Sequence, residues 1–289
     1  MKDYLVKATA YNGLVRAYAT STTNMVNEAC KRQDTWPTAS AALGRTITIT
    51  GMMGCMLKGN DTITAKVEGD GPIGAIIADA NASGDVRGYV LHPHVDFPSN
   101  PNKKLDVQRA VGKNGTLTVV KDQGLKDNFS GQVPIVSGEI SEDFTYYFAT
   151  SEQVPTAVAS GVIVDTDYSI MSAGGFIIQL MPDASEEVII AIEKKINNFP
   201  SISSLIRDEK SPEAILELLF EDAQLRILET IPINFECQCS HDRMLRAIKG
   251  LGEDEIKAMI EEDHGADARC HFCNEVYKVS EEELRSLLK

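Results

Sequence analysis

Apolar and polar positions follow two different periods along this chain, and the change of period divides it. Up to Met181 the apolar positions recur mostly every second residue. Asp61–Gly69 (DTITAKVEG), Gly115–Asp122 (GTLTVVKD) and Arg45–Thr50 (RTITIT) are rich in β-branched residues and alternate as half-buried strands do. Asp143–Thr150 (DFTYYFAT) and the long stretch Ser160–Met181 predict further strands. Clusters of Gly, Asn, Asp and Pro between them mark turns. TNMVNEACKR and PTASAALGR predict helices. Strands come in runs rather than in strict alternation with helices, so residues 1–181 are expected to form an α+β core domain of layered β-sheet and helix.

Beyond Met181-Pro182 the period becomes helical. Val188, Ile192, Ile196 and Phe199 recur at helical spacing, and Ser211 followed by Pro212 is a cap and first-turn pair. Ile215, Leu218 and Leu219 form the expected apolar face of the helix that starts there. From Asp183 to Glu229 the chain reads as short helices, broken at Asn197-Asn198 and Pro200, with 11 acidic and 5 basic residues. Helices of this length are marginal alone. Residues 182–233 are therefore read as a helical linker that folds only against its neighbours.

The remaining residues, 234–289, are too few for a large core. Ser240 can cap a helix running to about Lys249, with Gly250 ending it. A second helix, about Glu253–Glu262, places Ile256, Met259 and Ile260 on one side, and Gly265 stops it. Ser280 and Glu283 have the spacing of a capping box. A module of about 55 residues needs a staple of some kind.

Charge narrows the partners. The chain has 289 residues, with 42 acidic and 28 basic side chains and a net charge of −14. Such a polyanion repels phosphate, which argues against nucleic acid and against anionic membrane surfaces. The basic runs are no longer than Lys31-Arg32 and Lys103-Lys104. The opening MKDYLVKATAYNG lacks the apolar segment of a signal peptide, and no apolar run approaches the roughly 18–20 residues of a membrane span. The expected compartment is the cytoplasm, where thiols stay reduced.

Four of the six cysteines then stand out. FECQCSHDRM carries Cys237 and Cys239; ARCHFCNEVY carries Cys270 and Cys273. In a reducing compartment such a set indicates a metal site or a redox device before a disulfide framework. Cys270-x-x-Cys273 has the spacing of a zinc knuckle, and thiolates at about 2.3 Å suit tetrahedral Zn2+. The expected ligands are all four cysteines, holding one zinc per chain. Two other readings of the same residues stay open: unligated thiols, or a histidine (His241, His264 or His271) in place of one cysteine. A metal here would make binding free energy into folding free energy. It would also keep the sulfurs as thiolates, the form that peroxide or hypochlorous acid attacks.

The two cysteine motifs together resemble the zinc signature of the redox-regulated heat-shock chaperone family HslO. Val67–Val90 (VEGDGPIGAIIADANASGDVRGYV), Tyr146–Ala159 (YYFATSEQVPTAVA) and Gly174–Ala184 (GGFIIQLMPDA) are similar to that family's core motifs, in the same order. The resemblance covers nearly the whole chain. It implies a C-terminal zinc redox-switch domain whose reduced, zinc-bound form is inactive, with Cys237, Cys239, Cys270 and Cys273 as ligands. It further implies that oxidation joins Cys237 to Cys239 and Cys270 to Cys273, releases zinc and unfolds the linker. The protein so unmasked would hold unfolding clients without ATP, as a binding protein and not an enzyme. The expected partners are unfolded or aggregating client proteins and, above all in the oxidised form, a second copy of the chain.

Other signals have plainer readings. Gly69, Gly71 and Gly74 fit G-x-G-x-x-G, but Pro72 interrupts it and strand follows, so a turn is expected rather than a nucleotide site. His92 and His94 lack a third ligand and read as a surface loop. Cys30 and Cys55 read as buried or partly buried structural thiols, and Met52, Met53 and Met56 as core packing. The rival functions are a thiol–disulfide oxidoreductase using Cys270 and Cys273, and a zinc-ribbon nucleic-acid binder. The first needs CHFC to open a helix; the second has the wrong sign of charge.

Overall fold

The computed structural model describes residues 2–101, 104–221 and 223–288, so Lys103 of the Lys103-Lys104 pair lies outside the described residues. The chain divides into two compact units, Met1–Glu236 and Cys237–Lys289. Residues 182–233, the expected linker, lie wholly within the first.

The first unit opens with strands β1 (Tyr4–Ala10) and β2 (Val15–Ser21), then helices α1 (Thr23–Gln33) and α2 (Pro37–Cys55). Strands β3 (Thr62–Gly69), β4 (Ala75–Asn81) and β5 (Asp85–Val90) follow, then the short helix α3 (Val107–Val111), β6 (Gly115–Asp122) and β7 (Phe129–Pro134). After α4 (Ser141–Tyr147) come β8 (Thr156–Val164) and β9 (Ile170–Leu180), helices α5 (Glu186–Asn197), α6 (Ile202–Arg207) and α7 (Pro212–Phe220), and strands β10 (Arg226–Pro232) and β11 (Asn234–Phe235). Among the described residues these strands make two sheets, ordered β10-β1-β2-β9-β8 and β11-β5-β4-β3-β6-β7. The pairings are antiparallel except the short β11–β5 contact.

The layers follow from which residues are apolar. Helix α2 packs against β8 and β9 of one sheet and β3, β4 and β5 of the other, so it lies between them. Leu43, Ile47, Ile49, Met52 and Cys55 of α2 share a buried cluster with Ile63, Val67 and Ile76 from the second sheet and Val162 and Ile177 from the first. The opposite face of the first sheet carries Val6, Ala8, Val15, Ala17, Ala19, Phe176 and Ile178, and α5, α6 and α7 cover it with Ile192, Ile202, Ile206, Ile215, Leu216 and Leu219. The architecture is layered α+β, as the pattern of the chain predicts.

Two glycines decide how α6 seats. Gly161 on β8 pairs with Gly174 on β9. A methyl group on Gly161 would come within 2.9 Å of Ser203 Oγ, and one on Gly174 within 2.1 Å of Ile206 Cδ1. The missing side chains leave a flat patch that admits the helix.

Several local expectations are overturned. Arg45–Thr50 is not a strand; it is the middle of α2. The Thr-Ile alternation mimics period two, but almost every residue of this helix is buried, so no polar face marks its turns. The threonines suit a helix because their hydroxyls bond back one turn: Thr46 Oγ1 donates to Ala42 O at 2.9 Å and Thr50 Oγ1 to Thr46 O at 2.8 Å. Asp143–Thr150 is also helical, as α4 and a wider turn over Phe148–Glu152. Its start is fixed by the fully buried Asp143 carboxylate, which accepts the backbone N–H groups of Val136, Ser137, Gly138 and Ile140. At the other end of the linker the helical reading stops too late: Arg226–Pro232 is β10, an edge strand paired with β1 from Tyr4↔Pro232 to Thr9↔Arg226.

The apolar face of α7 is also rotated from the expected one. Ile215, Leu216, Leu219 and Phe220 are buried, whereas Leu218 is 44% exposed. At 100° per residue the buried positions centre between Ile215 and Leu216, and Leu218 falls outside that arc. The sequence markers for the other elements agree with the structure. Ser211 accepts Ala214 N–H at the start of α7, and Gly69 ends β3 while Gly71 and Gly74 lie in the turn that leads to β4.

Candidate metal centre

The second unit consists of α8 (His241–Lys249), α9 (Glu253–Ala258) with a wider turn over Met259–Asp263, a hairpin of β12 (Gly265–Arg269) and β13 (Val276–Ser280), and α10 (Glu281–Leu287). Its caps are the ones the sequence marks. Ser240 Oγ accepts Arg243 N–H, and Ser280 and Glu283 form a reciprocal box. The second helix starts at Glu253 as expected and runs on past Ala258 in a widened last turn to Asp263, just before Gly265. The buried apolar cluster of this unit contains Ile248, Ile256, Ile260, Val279 and Leu284. Leu245, Met259, Ala266, Ala268, Leu287 and Leu288 pack against it partly buried, and the cluster is small for a unit of this length.

The cysteines converge there. Cys237 and Cys239 occupy the irregular segment before α8, where Arg243 Nη1 donates to Gln238 O at 2.7 Å and steadies the bend between them. Cys270 and Cys273 occupy the turn of the β12–β13 hairpin. Cys270 N–H donates to Glu275 O and Asn274 N–H to Cys270 O, with Asn274 at φ 58° closing the loop. All four cysteines are free thiols. The four sulfurs lie within 4.8 Å of one another, with Cys237–Cys270 at 3.6 Å and Cys239–Cys273 at 3.3 Å. A tetrahedron with metal–sulfur bonds of about 2.3 Å has edges of about 3.8 Å, so the spread of the sulfurs fits one ion. The hairpin pair is buried and the other pair half-buried.

Histidines stay out of this group among the described residues. His241 Nε2 lies 3.2 Å from Lys278 O and 3.4 Å from a Glu283 oxygen, and His264 Nδ1 lies 3.4 Å from Glu281. His94 is in a surface loop beside Asp34, and Cys30 and Cys55 are buried in the core around α2.

One contact escaped the sequence reading. Tyr277 on β13 places its hydroxyl 3.1 Å from Cys239 Sγ. The electrostatics of the cluster are uneven as a result. Burial pushes the Cys237 and Cys273 thiols up. Burial also pushes Cys239 up, but the Tyr277 hydroxyl and the three neighbouring sulfurs outweigh it, and this thiol ends below its ordinary value. A tyrosine four residues past a CxxC has no marker in sequence; only the hairpin register, Tyr277 opposite Ala268, brings it to the sulfurs.

Four convergent thiols can bind a soft or borderline cation, and when reduced they can be oxidised in pairs. The CxxC does not begin a helix: β13 follows it, which weighs against a thioredoxin-like role for Cys270 and Cys273. Among the described residues no helix is long and apolar enough to cross a membrane.

Comparison with known proteins supplies the context. The family model described as Hsp33 protein matches residues 3–280. The chain is 64% identical to the 33 kDa chaperonin of Oceanobacillus iheyensis over 99% of both chains. It is 60% identical to that of Staphylococcus carnosus over 100% of this chain and 98% of the other. The crystal structure of the 33 kDa chaperonin of Thermotoga maritima superposes with a TM-score of 0.92 at 37% identity, covering 100% of this chain and 98% of that one.

Proposed function

The chain belongs to the Hsp33 family of chaperones, and from that membership we propose that it is an ATP-independent holdase whose client-binding state is gated by oxidation of four cysteines. The observation that carries the reading is the convergence of four free sulfurs in a unit with a small buried apolar cluster.

In the reduced state Cys237, Cys239, Cys270 and Cys273 would hold one Zn2+, which would crosslink the two cysteine segments and keep the sulfurs as thiolates. In classical metal-folded modules such a crosslink is worth about 10–16 kcal/mol of folding. The cysteines, not the metal, sense the oxidant. Pairing of Cys237 with Cys239 and of Cys270 with Cys273 takes the ligands away, and residues 234–289 lose their main support. We assign the docked helices of residues 182–233 as the gate. They cover an apolar sheet face, Val6 to Phe176, that an unfolding client would otherwise meet. The net charge of −14 keeps such a complex soluble. The protein acts in the cytoplasm, binds unfolded or aggregating clients rather than transforming a substrate, and associates with a second copy when oxidised.

The test measures zinc content and suppression of aggregation of a thermally unfolding enzyme side by side, in reduced and peroxide-treated protein. The expected result is about one zinc per chain and no suppression when reduced, and loss of zinc with suppression at near-stoichiometric ratio when oxidised. Reduced protein with four free thiols and no zinc, or oxidised protein silent toward the client, overturns the reading.

A further inference from the structure

We propose that Tyr277 tunes the reactivity of the four-cysteine cluster by donating its phenolic hydrogen to the Cys239 sulfur. The inference rests on the metal-binding reading above and deepens it.

The geometry is specific. The phenol oxygen and Cys239 Sγ are 3.1 Å apart, and once the sulfur is a thiolate only the phenol can donate. The Tyr277 ring is positioned from two sides. It sits on the same hairpin whose turn carries Cys270 and Cys273. It also lies edge-on to the His241 ring, with centroids 6.3 Å apart. His241 in turn lies against Lys278 O and Glu283, and Glu283 is the residue that closes the cap of α10. The donor to Cys239 is therefore held by the fold of the whole unit. The other donors are of a different kind: Cys237 is met by the backbone N–H of Cys239, and Cys273 by that of Glu275. Those belong to the loops themselves. Tyr277 is a side chain, so a substitution can remove its hydrogen and nothing else.

Donation withdraws charge from the thiolate and lowers its nucleophilicity. The step affected is attack on peroxide. One thiolate forms an S–O bond to hydrogen peroxide as the O–O bond breaks and hydroxide leaves, giving a sulfenic acid. A second thiolate attacks that sulfur, forms the S–S bond and expels a second hydroxide. Two electrons pass from the sulfur pair to the peroxide. Tyr277 slows the first event at Cys239 and, by orienting the sulfur, strengthens its hold on a metal. Loss of a partner of this outer kind costs about 10–100-fold in metal affinity.

The experiment compares the full chain, Tyr277→Phe, and the chain carrying 3-fluorotyrosine at 277. Zinc affinity is read against a chromophoric chelator at pH 7, and zinc release is timed under hydrogen peroxide. Tyr277→Phe keeps the ring and is expected to hold zinc about tenfold more weakly, about 1.4 kcal/mol, and to release it several-fold faster. The fluorinated phenol has the same shape and a more acidic hydrogen, and is expected to release zinc more slowly than the parent. A packing role would not follow phenol acidity. Full zinc occupancy with parental affinity and release in both variants overturns the role of Tyr277 while leaving the metal site standing. Should Tyr277→Phe fail to fold, a fluorotyrosine rate equal to the parent's overturns the role by itself. A parent chain that binds no zinc overturns both readings together.

Discussion

One sheet of the first unit separates two apolar clusters, and they differ in what covers them. On one side α2 is enclosed between two sheets, and the cluster around it draws on segments spread from Leu5 to Ile233. Opening that cluster means unfolding the unit. On the other side the same sheet is covered by α5, α6 and α7, which run consecutively from Glu186 to Phe220. These helices have 12, 6 and 9 residues and little stability of their own. Their joint departure by local unfolding would break no strand pairing. The contrast teaches where a switch can be built. A cover made of contiguous chain can be released; a core made of distant segments cannot.

The largest expected effect tests that detachability. Leu216 is fully buried on the sheet-facing side of α7. Leu216→Glu places an unpaired carboxylate there, at a cost of about 3–5 kcal/mol, and should raise hydrogen exchange across residues 186–220 while β3 to β6 stay protected. Client binding without oxidant should accompany it. Leu218→Glu, on the exposed side of the same helix, should change stability by no more than about 0.5 kcal/mol. Exchange that rises equally in both clusters would show that the two are one cooperative body.

The enclosed cluster gives the next effect, and here it is global. Burial pushes the Cys30 and Cys55 thiols up from 9.0 to about 11 and about 12. A thiol whose folded value lies above its unfolded one contributes stability that is complete below about pH 9 and is lost as pH rises through the folded value. Native protein at pH 8 should therefore leave both thiols unalkylated, and denaturant should expose them together. Cys55 has no hydrogen-bond partner among the described residues, whereas Cys30 donates to Ser40 O. Cys55→Ser should cost about 1–3 kcal/mol of whole-unit stability, more than Cys30→Ser, with a shallower decline above pH 9. Neither change should alter the response to oxidant, which mass mapping of thiols after peroxide treatment would check.

A smaller effect sharpens the comparison at the point where cover meets sheet. Gly161→Ala brings a methyl group to 2.9 Å from Ser203 Oγ and 3.0 Å from its Cβ. The expected cost is about 1–2 kcal/mol, confined to α6 and visible as faster exchange at residues 202–207 with an unchanged midpoint for the unit. A lowered global midpoint would place α6 in the core rather than on it.

Much of the candidate site was legible before any coordinates. The caps at Ser211, Ser240 and Ser280 are hydrogen bonds closed within one turn, so their spacing carries the whole instruction. The two cysteine pairs are similar: a one- or two-residue gap limits how far two sulfurs can part. Half-buried strands such as Gly115–Asp122 show their alternation because one face meets polar surroundings. The tertiary structure decided the rest. Arg45–Thr50 became helix because burial on every side erases the period that would have marked it, and the propensity penalty of threonine and isoleucine is a few tenths of a kcal/mol each. Asp143 anchors the start of α4 through backbone N–H groups three to seven positions upstream, a local contact that the apolar pattern does not mark. Arg226–Pro232 became a strand because β1 offered an edge. Which side of α7 is buried depended on the sheet beneath it, and Tyr277 reached Cys239 only through the register of a hairpin. Interactions closed within about four residues are written in the spacing of the chain; those between residues tens or hundreds of positions apart exist only once the chain has folded.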